Sequence, residues 1–185
     1  TKRNDNMLKN LQAELNAFGK YVVQQSRSNL TKGKHNVTKR LYDSIKYDLT
    51  DNKGNYDLAF IMDEYGTFLD KGVKGADPSL VKGGKQKGAG SPYSYKNKMP
   101  PMIDISSWAK KRNIRLRDDK GRFKKGNYKA IGFIIQRSVF AQGIKPTLFF
   151  TKPFSVAFKR YPKLLTEAFA EDIIDILKQN NNGKN

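Results

Sequence analysis

Large apolar residues recur largely at steps of three and four along the first segment: Met7, Leu8, Leu11, Leu15, Phe18 and Val22. That spacing places them on one face of a helix. Asn4 or Asp5 is positioned to cap it, and the pattern fades between Asn29 and Gly33. The period then changes to two. Ile45, Tyr47 and Leu49 alternate with Ser44, Lys46 and Asp48. The turn-forming run Asp51-Asn52-Lys53-Gly54-Asn55 follows, and Tyr56, Leu58, Phe60 and Met62 alternate again. Two alternating runs around such a turn predict an antiparallel hairpin over about 44–62 with one buried face. Tyr65, Phe68 and Leu69 fit one side of a short helix that Gly72 ends, with Asp63-Glu64 at the start, where a helix favours acidic groups.

Residues 72–101 carry Gly, Ser, Pro and Lys with almost no periodicity, which predicts a long exposed loop. Beyond Pro100-Pro101 a short helix is expected with Asp104 as its cap and Ile105, Trp108 and Ala109 on its apolar side, so that Trp108 plugs the core. Residues 112–127 read as a second loop, with a turn at Asp118-Asp119-Lys120-Gly121-Arg122 and Phe123 just beyond it. Tyr128, Ile131, Ile134, Ile135, Ser138 and Val139 then form a helical stripe that Gly143 stops. Residues 145–154 look like an aromatic connector between Pro146 and Pro153. The last amphipathic helix carries Leu164, Leu165, Ala168, Phe169, Ile173, Ile176 and Leu177, with Pro162 near its start or at a kink. Its other side is acidic, with Glu167, Glu171, Asp172 and Asp175. The pattern as a whole predicts an α+β fold: amphipathic N- and C-terminal helices packed on a small antiparallel sheet, with long basic loops. It predicts a single domain over 1–178 and a disordered tail at 179–185.

Composition sharpens the function classes. The 185 residues hold 36 Lys and Arg against 17 Asp and Glu, a net charge of +19. Twelve of those charges fall within residues 71–126, which contain sixteen Lys and Arg against four Asp. A basic surplus of this size favours a polyanionic partner, most commonly nucleic acid. With no Cys, disulfide scaffolds, thiol nucleophiles and Cys-based metal sites are excluded. A single His35 among Lys and Asn excludes a His-rich metal centre and reads as a surface residue. No apolar run approaches the ~20 residues of a membrane span, and the opening TKRNDNMLKNLQ holds no signal-type apolar run.

The loop cations that suit diffuse contact with phosphates or a neighbouring protein are Lys82, Lys85, Lys87, Arg115, Arg117, Lys120, Arg122, Lys124 and Lys125. The run Gly83-Gly84-Lys85-Gln86-Lys87-Gly88 is not a Walker loop, because Ala89 stands where that motif needs Lys. Tyr93 and Tyr95 suit either base stacking or simple anchoring of the loop. Asp63, Glu64 and Asp70 are the tight carboxylate group of this half and fit helix capping better than catalysis. No catalytic residue, metal site or cofactor is expected. Candidate subunit-interface residues are Phe149, Phe150, Pro153 and Phe154 of the aromatic connector, with Glu167, Glu171 and Asp175 of the last helix.

The order of parts resembles the small neck proteins of tailed bacteriophages, the head–tail connector or tail-completion family. Three features carry the resemblance. A hairpin runs into Tyr65-Gly66-Thr67-Phe68-Leu69-Asp70-Lys71-Gly72. A variable loop leads through Pro100-Pro101 into a helix with Trp108. A helix carrying Ile134, Ile135, Arg137, Ser138 and Gly143 precedes Lys152-Pro153-Phe154 and a terminal helix. The likeness spans about residues 5–178. The family commonly has Arg where Lys152 stands, and the loops at 72–101 and 112–127 are longer and more basic than is usual for it.

The resemblance implies a non-catalytic subunit of a homo-oligomeric ring, six- or twelve-fold, around the DNA channel of a virion. Its neighbours would be portal or adaptor on one side and tail or other neck proteins on the other, with non-specific contact to double-stranded DNA and no membrane. Assembly would take place in the host bacterial cytoplasm. Composition alone fits a second class equally: a free non-specific nucleic-acid-binding protein, of the DNA-packaging or ribosome-associated kind. A carboxylate nuclease using Asp63, Glu64 and Asp70 is the third.

Overall fold

A computed structural model describes residues 8–52, 54–124 and 126–182. The expected cap at Asn4 or Asp5, Met7 of the first stripe, Lys53 of the turn and Lys125 lie outside the described residues. Among those described, the chain forms six helices and two small antiparallel sheets, an α+β fold. The order is α1 (Lys9–Lys32), α2 (Arg40–Ser44), β1 (Lys46–Asn52), β2 (Asn55–Ile61), α3 (Tyr65–Lys71), β3 (Val73–Lys74), a 3-10 turn (Pro78–Leu80), α4 (Met102–Lys111), α5 (Tyr128–Gln142), β4 (Gly143–Ile144) and α6 (Thr151–Asn182).

The chain divides into two compact units. A helical unit comprises residues 1–32, 40–63 and 149–185. A basic unit comprises 33–39 and 64–148. The division follows from packing: the segment between β2 and α6 has its own helix pair, α4 on α5, and closes on itself.

In the helical unit α1 packs along α6 and onto the β1–β2 hairpin, as the terminal stripes and the alternation predict. The strands pair from Lys46 opposite Ile61 to Asn52 opposite Asn55, with Tyr47, Leu49, Tyr56, Leu58 and Phe60 on the half-buried face. The centre of this packing is Phe18, Val22 and Ala157, ringed by Tyr21, Leu58, Phe60, Phe150, Phe154 and Tyr161. Phe18 meets Phe60 and Phe154 at 5.9 Å and Tyr161 at 4.9 Å, all edge to face. That is the arrangement in which ring edges meet the electron-rich faces of their neighbours. Arg27 fastens α1 to the chain that follows: its guanidinium donates to the carbonyls of Tyr42 and Ile45 at 3.0 and 2.9 Å and lies over the Tyr42 ring.

The acidic side of α6 is not uniformly solvated. Asp172 is 3% exposed, and its two carboxylate oxygens accept the backbone N–H groups of Asn10 and Leu11, each at 2.9 Å. These are donors at the start of α1 that have no partner inside their own helix. The carboxylate also sits at the positive end of the α1 dipole.

Helix α6 is longer than its apolar stripe suggests. It begins at Thr151, inside the expected connector, and runs through Asn182, into the stretch expected as a disordered tail; residues 183–185 lie outside the described residues. Pro153 is tolerated because it occupies the first turn, where its missing N–H costs nothing. Pro162 lies in the helix interior, and the Thr166 hydroxyl donates to the Pro162 carbonyl at 2.9 Å.

The basic unit is organised around two matched exits from helices. Helix α3 ends at Gly72 (φ 73°, ψ −176°) and α5 at Gly143 (φ 87°, ψ −169°), backbone geometry that side-chain-bearing residues scarcely enter. Gly72 leads directly into β3 and Gly143 is itself the first residue of β4, and the strands pair with Val73 opposite Ile144.

The segment 72–101, expected as a loose loop, is pinned along its length. Lys74 donates to the Tyr93 carbonyl at 2.8 Å and accepts from Tyr95 at 2.9 Å. Ala76 and Lys87 donate to the Phe140 and Gln142 carbonyls at 2.9 and 2.7 Å, and the Ser91 hydroxyl donates to Gly72 at 2.7 Å. Two of these bonds satisfy carbonyls near the end of α5 that its own helix leaves open. Backbone pairing of this kind needs no alternation of side chains, so the sequence pattern does not display it.

Helix α4 starts earlier than expected, at Met102 after Pro101, with Asp104 inside its first turn rather than at the cap. Ala109 is its buried residue, and Trp108 is 41% exposed with the Arg112 guanidinium 5.9 Å from its ring. Adjacent helical positions are turned by about 100°. Only one of the two can face α5, and the small Ala109 allows the closer approach. Trp108 is therefore not the core plug that its type suggests.

Candidate functional site

The most distinctive chemistry of the described chain is the cationic surface of the basic unit. That unit holds 21 Lys and Arg against 6 Asp and Glu, a net of +15, leaving +4 for the helical unit. The surplus is therefore a property of one compact unit rather than of the whole chain.

Its best-built element is the run 114–124, expected as a loop and found as a small hairpin. Asp118 makes the turn. Its Oδ1 accepts the N–H groups of Lys120 and Arg122 at 3.0 and 2.8 Å, and its Oδ2 accepts from Arg122 Nε at 3.0 Å. Gly121 supplies the positive φ of 78°. The Asp118 N–H donates to the Arg122 carbonyl, the Lys124 N–H donates to Leu116, and Arg117 bridges to Phe123 across the two arms.

The pleat brings Arg115, Arg117 and Phe123 together. The Arg117 guanidinium lies 4.3 Å from the Phe123 ring centre and that of Arg115 lies 5.7 Å from it, while Arg117 also donates to the Gly121 carbonyl at 2.7 Å. Phe123 is 62% exposed even so. The ring holds two cations at the surface in fixed positions instead of burying itself. Behind it, Ile114, Tyr128 and Ile131 help line a recess of about 400 Å³.

Of the cations expected from sequence, the structure brings Arg115, Arg117, Lys120, Arg122 and Lys124 onto this one hairpin, all exposed; Lys125 lies outside the described residues. Lys82, Lys85 and Lys87 sit on the pinned segment and are exposed. They are carried on ordered backbone, since Gly84 donates to Val81 and Lys87 to Gln142. Tyr93 packs edge to face on Phe68 at 4.7 Å, and Tyr95 lies 6.0 Å from Phe140, where burial pushes its phenol pKa up. Both rings are in use as anchors of the segment.

The carboxylates are otherwise engaged. Asp63 accepts from Arg40 Nε at 2.8 Å and Asp70 is buried. Glu64 makes no side-chain cap to α3, so the expected capping bond is absent there; the Thr67 N–H and hydroxyl use the Glu64 backbone carbonyl instead. Among the described residues no group of three or more His, Asp or Glu could hold a metal ion, and no helix is long and apolar enough to cross a membrane.

The interface candidates separate into two sets. Phe149 is 2% exposed and Pro153 is buried, and Phe150 and Phe154 stack in the aromatic core, so this cluster packs within the chain rather than presenting itself to a neighbour. Phe150 packs against Phe60 of β2, and Phe154 against Phe60 and Phe18 of α1. Glu167, Glu171 and Asp175 do lie exposed on α6. Beside them are large apolar residues that the stripe assigns to the core: Phe169, Ile173 and Leu177 are exposed, as is Ile174, while Ala168 and Asp172 are the buried positions. Helical spacing identifies a face but does not say how far the partner helix extends along it. Here α1 begins at Lys9 beside Asp172, and α6 continues ten residues further.

Comparison with family models, curated proteins and solved structures finds no match to this chain.

Proposed function

We propose that the chain is a structural subunit of an oligomeric ring in the neck of a tailed-phage virion, joining portal or adaptor to tail around the DNA channel, with no catalytic role. The observation that carries this reading is the segregation of charge. One unit bears a net +15, with exposed cations on an ordered hairpin and a pinned segment, while the other is nearly balanced and leaves a long helix with exposed apolar residues beside acidic ones.

A subunit that must both line a DNA channel and bind its neighbours needs these two properties kept apart. Arg115, Arg117, Lys120, Arg122 and Lys124 contact phosphates without reading bases, a mode that is independent of sequence and strongly weakened by salt. Fixed cations suit a smooth channel better than a mobile tail does, because little side-chain freedom is lost on each contact. The apolar residues of α6 are then surface that another protein covers.

The test is electron microscopy of the purified chain together with detection of the protein in virions. Closed rings, six- or twelve-fold, or incorporation into particles at the head–tail junction support the proposal. A monomer that binds oligonucleotides tightly at physiological salt and never assembles defeats it in favour of a free nucleic-acid-binding protein.

A further inference from the structure

Besides the hairpin, the basic unit has a second cationic place of a different kind. Leu80 and Val81 of the pinned segment and Phe133 and Ile134 of α5 line a shallow groove of about 440 Å³, with Lys82 and Arg137 on its rim. Phe133 and Ile134 are each 51% exposed, although Ile134 belongs to the stripe expected to face the core. The groove is built rather than incidental: Arg137 donates to the Leu80 carbonyl at 3.3 Å and ties the segment to the helix at this point. Its character is an apolar floor with a positive rim.

The distal part of α6 has the opposite character. Ile174 and Leu177 stand three residues apart and share a face, with Ile173 adjacent, and all three are exposed. Glu167 and Glu171 stand seven and three residues before Ile174 on the same row, and Asp175 follows it. Lys178 ends that row, so this surface is an apolar strip with a negative edge on its N-terminal side, spanning the point where Asp172 caps α1.

We propose that these two surfaces are the halves of one contact between copies of this chain. The distal α6 of one copy seats in the groove of the next. Ile173, Ile174 and Leu177 lie against Phe133, Ile134 and Leu80, while Glu171 and Asp175 oppose Lys82 and Arg137. Charge selects this pairing over the symmetric ones. Two α6 strips face to face would set carboxylate against carboxylate, and two grooves would set cation against cation, both costly at close range. A contact between two different patches is head-to-tail, and head-to-tail contacts close into rings when the rotation permits. The inference rests on the ring reading and deepens it by naming the second copy as the partner and the two patches as its seat. It also divides the cations: Lys82 and Arg137 serve the neighbour, and the 114–124 hairpin remains available to DNA.

The experiment uses three variants of the full chain that leave Arg137 and its bond to Leu80 in place: Glu171→Lys with Asp175→Lys, Lys82→Glu, and Glu171→Lys combined with Lys82→Glu. Assembly is read by mass photometry and negative-stain microscopy, and folding by circular dichroism. The first two variants are each expected to lose rings, with the contact weakened by about 10-fold or more. The combined variant, whose swapped charges again oppose, is expected to form them. Rings that survive both of the first two variants overturn this contact and leave the ring reading standing. A folded combined variant that stays monomeric overturns the charge pairing. A wild-type chain that forms no rings overturns the ring reading itself.

Discussion

The buried carboxylate of Asp172 accepts the backbone N–H of Leu11 at 2.9 Å across 161 residues of chain, and its second oxygen holds Asn10. The bond joins the start of α1 to the far half of α6 and caps α1 with a side chain from another helix. Replacing Asp172 with Ala removes both acceptors and leaves two donors at the helix start without a partner. The expected loss is about 2–4 kcal/mol, since hydrogen bonds to a charged group contribute more than neutral ones. Asp172→Asn, which keeps one acceptor, should cost roughly half as much. Urea unfolding of the two variants checks this, and equal, negligible losses would show that the cap contributes nothing.

Gly143 is the second structural pivot. Its φ of 87° with ψ of −169° excludes side chains on conformational grounds, and a Cβ there would collide with the Val73 carbonyl oxygen. Gly143→Ala should therefore destabilise the basic unit by about 3 kcal/mol or more, through strain and through loss of the β3–β4 pairing. Hydrogen exchange at Val73 and Ile144 would report the damage locally, and a variant with native protection there would show that the backbone can relax around the methyl group.

Much of this architecture is legible in the sequence, and the reasons for the rest are physical. The β1–β2 hairpin, α1, α5 and the stops at Gly72 and Gly143 are visible because side-chain periodicity and positive-φ glycines record them directly. The ordering of 72–101 is not visible, because it rests on backbone bonds such as Lys87 to Gln142 that any residue can make. The position of Trp108 escapes the pattern because periodicity cannot decide which of two adjacent apolar residues faces a neighbour. Asp172 reads as a solvated residue because its partner is the other end of the chain. At the candidate site counting finds the cations but not their mounting on Phe123, since a lone aromatic in a basic run signals nothing by itself.

Phe149 and Trp108 invert the usual ranking of a chain's only Trp. Phe149 is 2% exposed, and its truncation to Ala should cost about 3–5 kcal/mol. Trp108→Ala should cost less than about 1 kcal/mol. Thermal melts of the two variants decide it. Trp108 fluorescence in the folded protein should also be quenched readily by iodide, because the ring is in contact with solvent.

His35 gives the basic unit a pH dependence. Partial burial first, and the Arg112 guanidinium second, disfavour the charged imidazole, so its folded pKa lies below the ordinary 6.5. In the window between the two values the unfolded chain binds the proton more readily. Stability from this group is therefore full above pH 6.5 and is lost as pH falls through the folded value. The effect is small, because the residue lies at the surface and is only partly shielded from solvent. An NMR titration of the single imidazole should show the lowered value, and Arg112→Gln should move it part of the way back up. A titration at the ordinary value in the wild type would remove the contribution.

The 114–124 hairpin should account for a measurable share of DNA affinity. Arg115, Arg117 and Arg122 are held by Asn113, by Gly121 with Phe123, and by Asp118 respectively, so their removal subtracts fixed charges rather than mobile ones. Replacing all three with Gln should weaken binding to unrelated duplexes by the same factor. It should also make the salt dependence shallower by about 0.9 in log–log slope for each phosphate that is no longer neutralised. Lys85→Gln with Lys87→Gln provides the comparison, since those residues sit on the other basic segment. Fluorescence anisotropy over a series of salt concentrations measures both slopes. A triple Arg variant with an unchanged slope, alongside a reduced slope for the two Lys changes, would move the DNA-binding surface from the hairpin to the pinned segment.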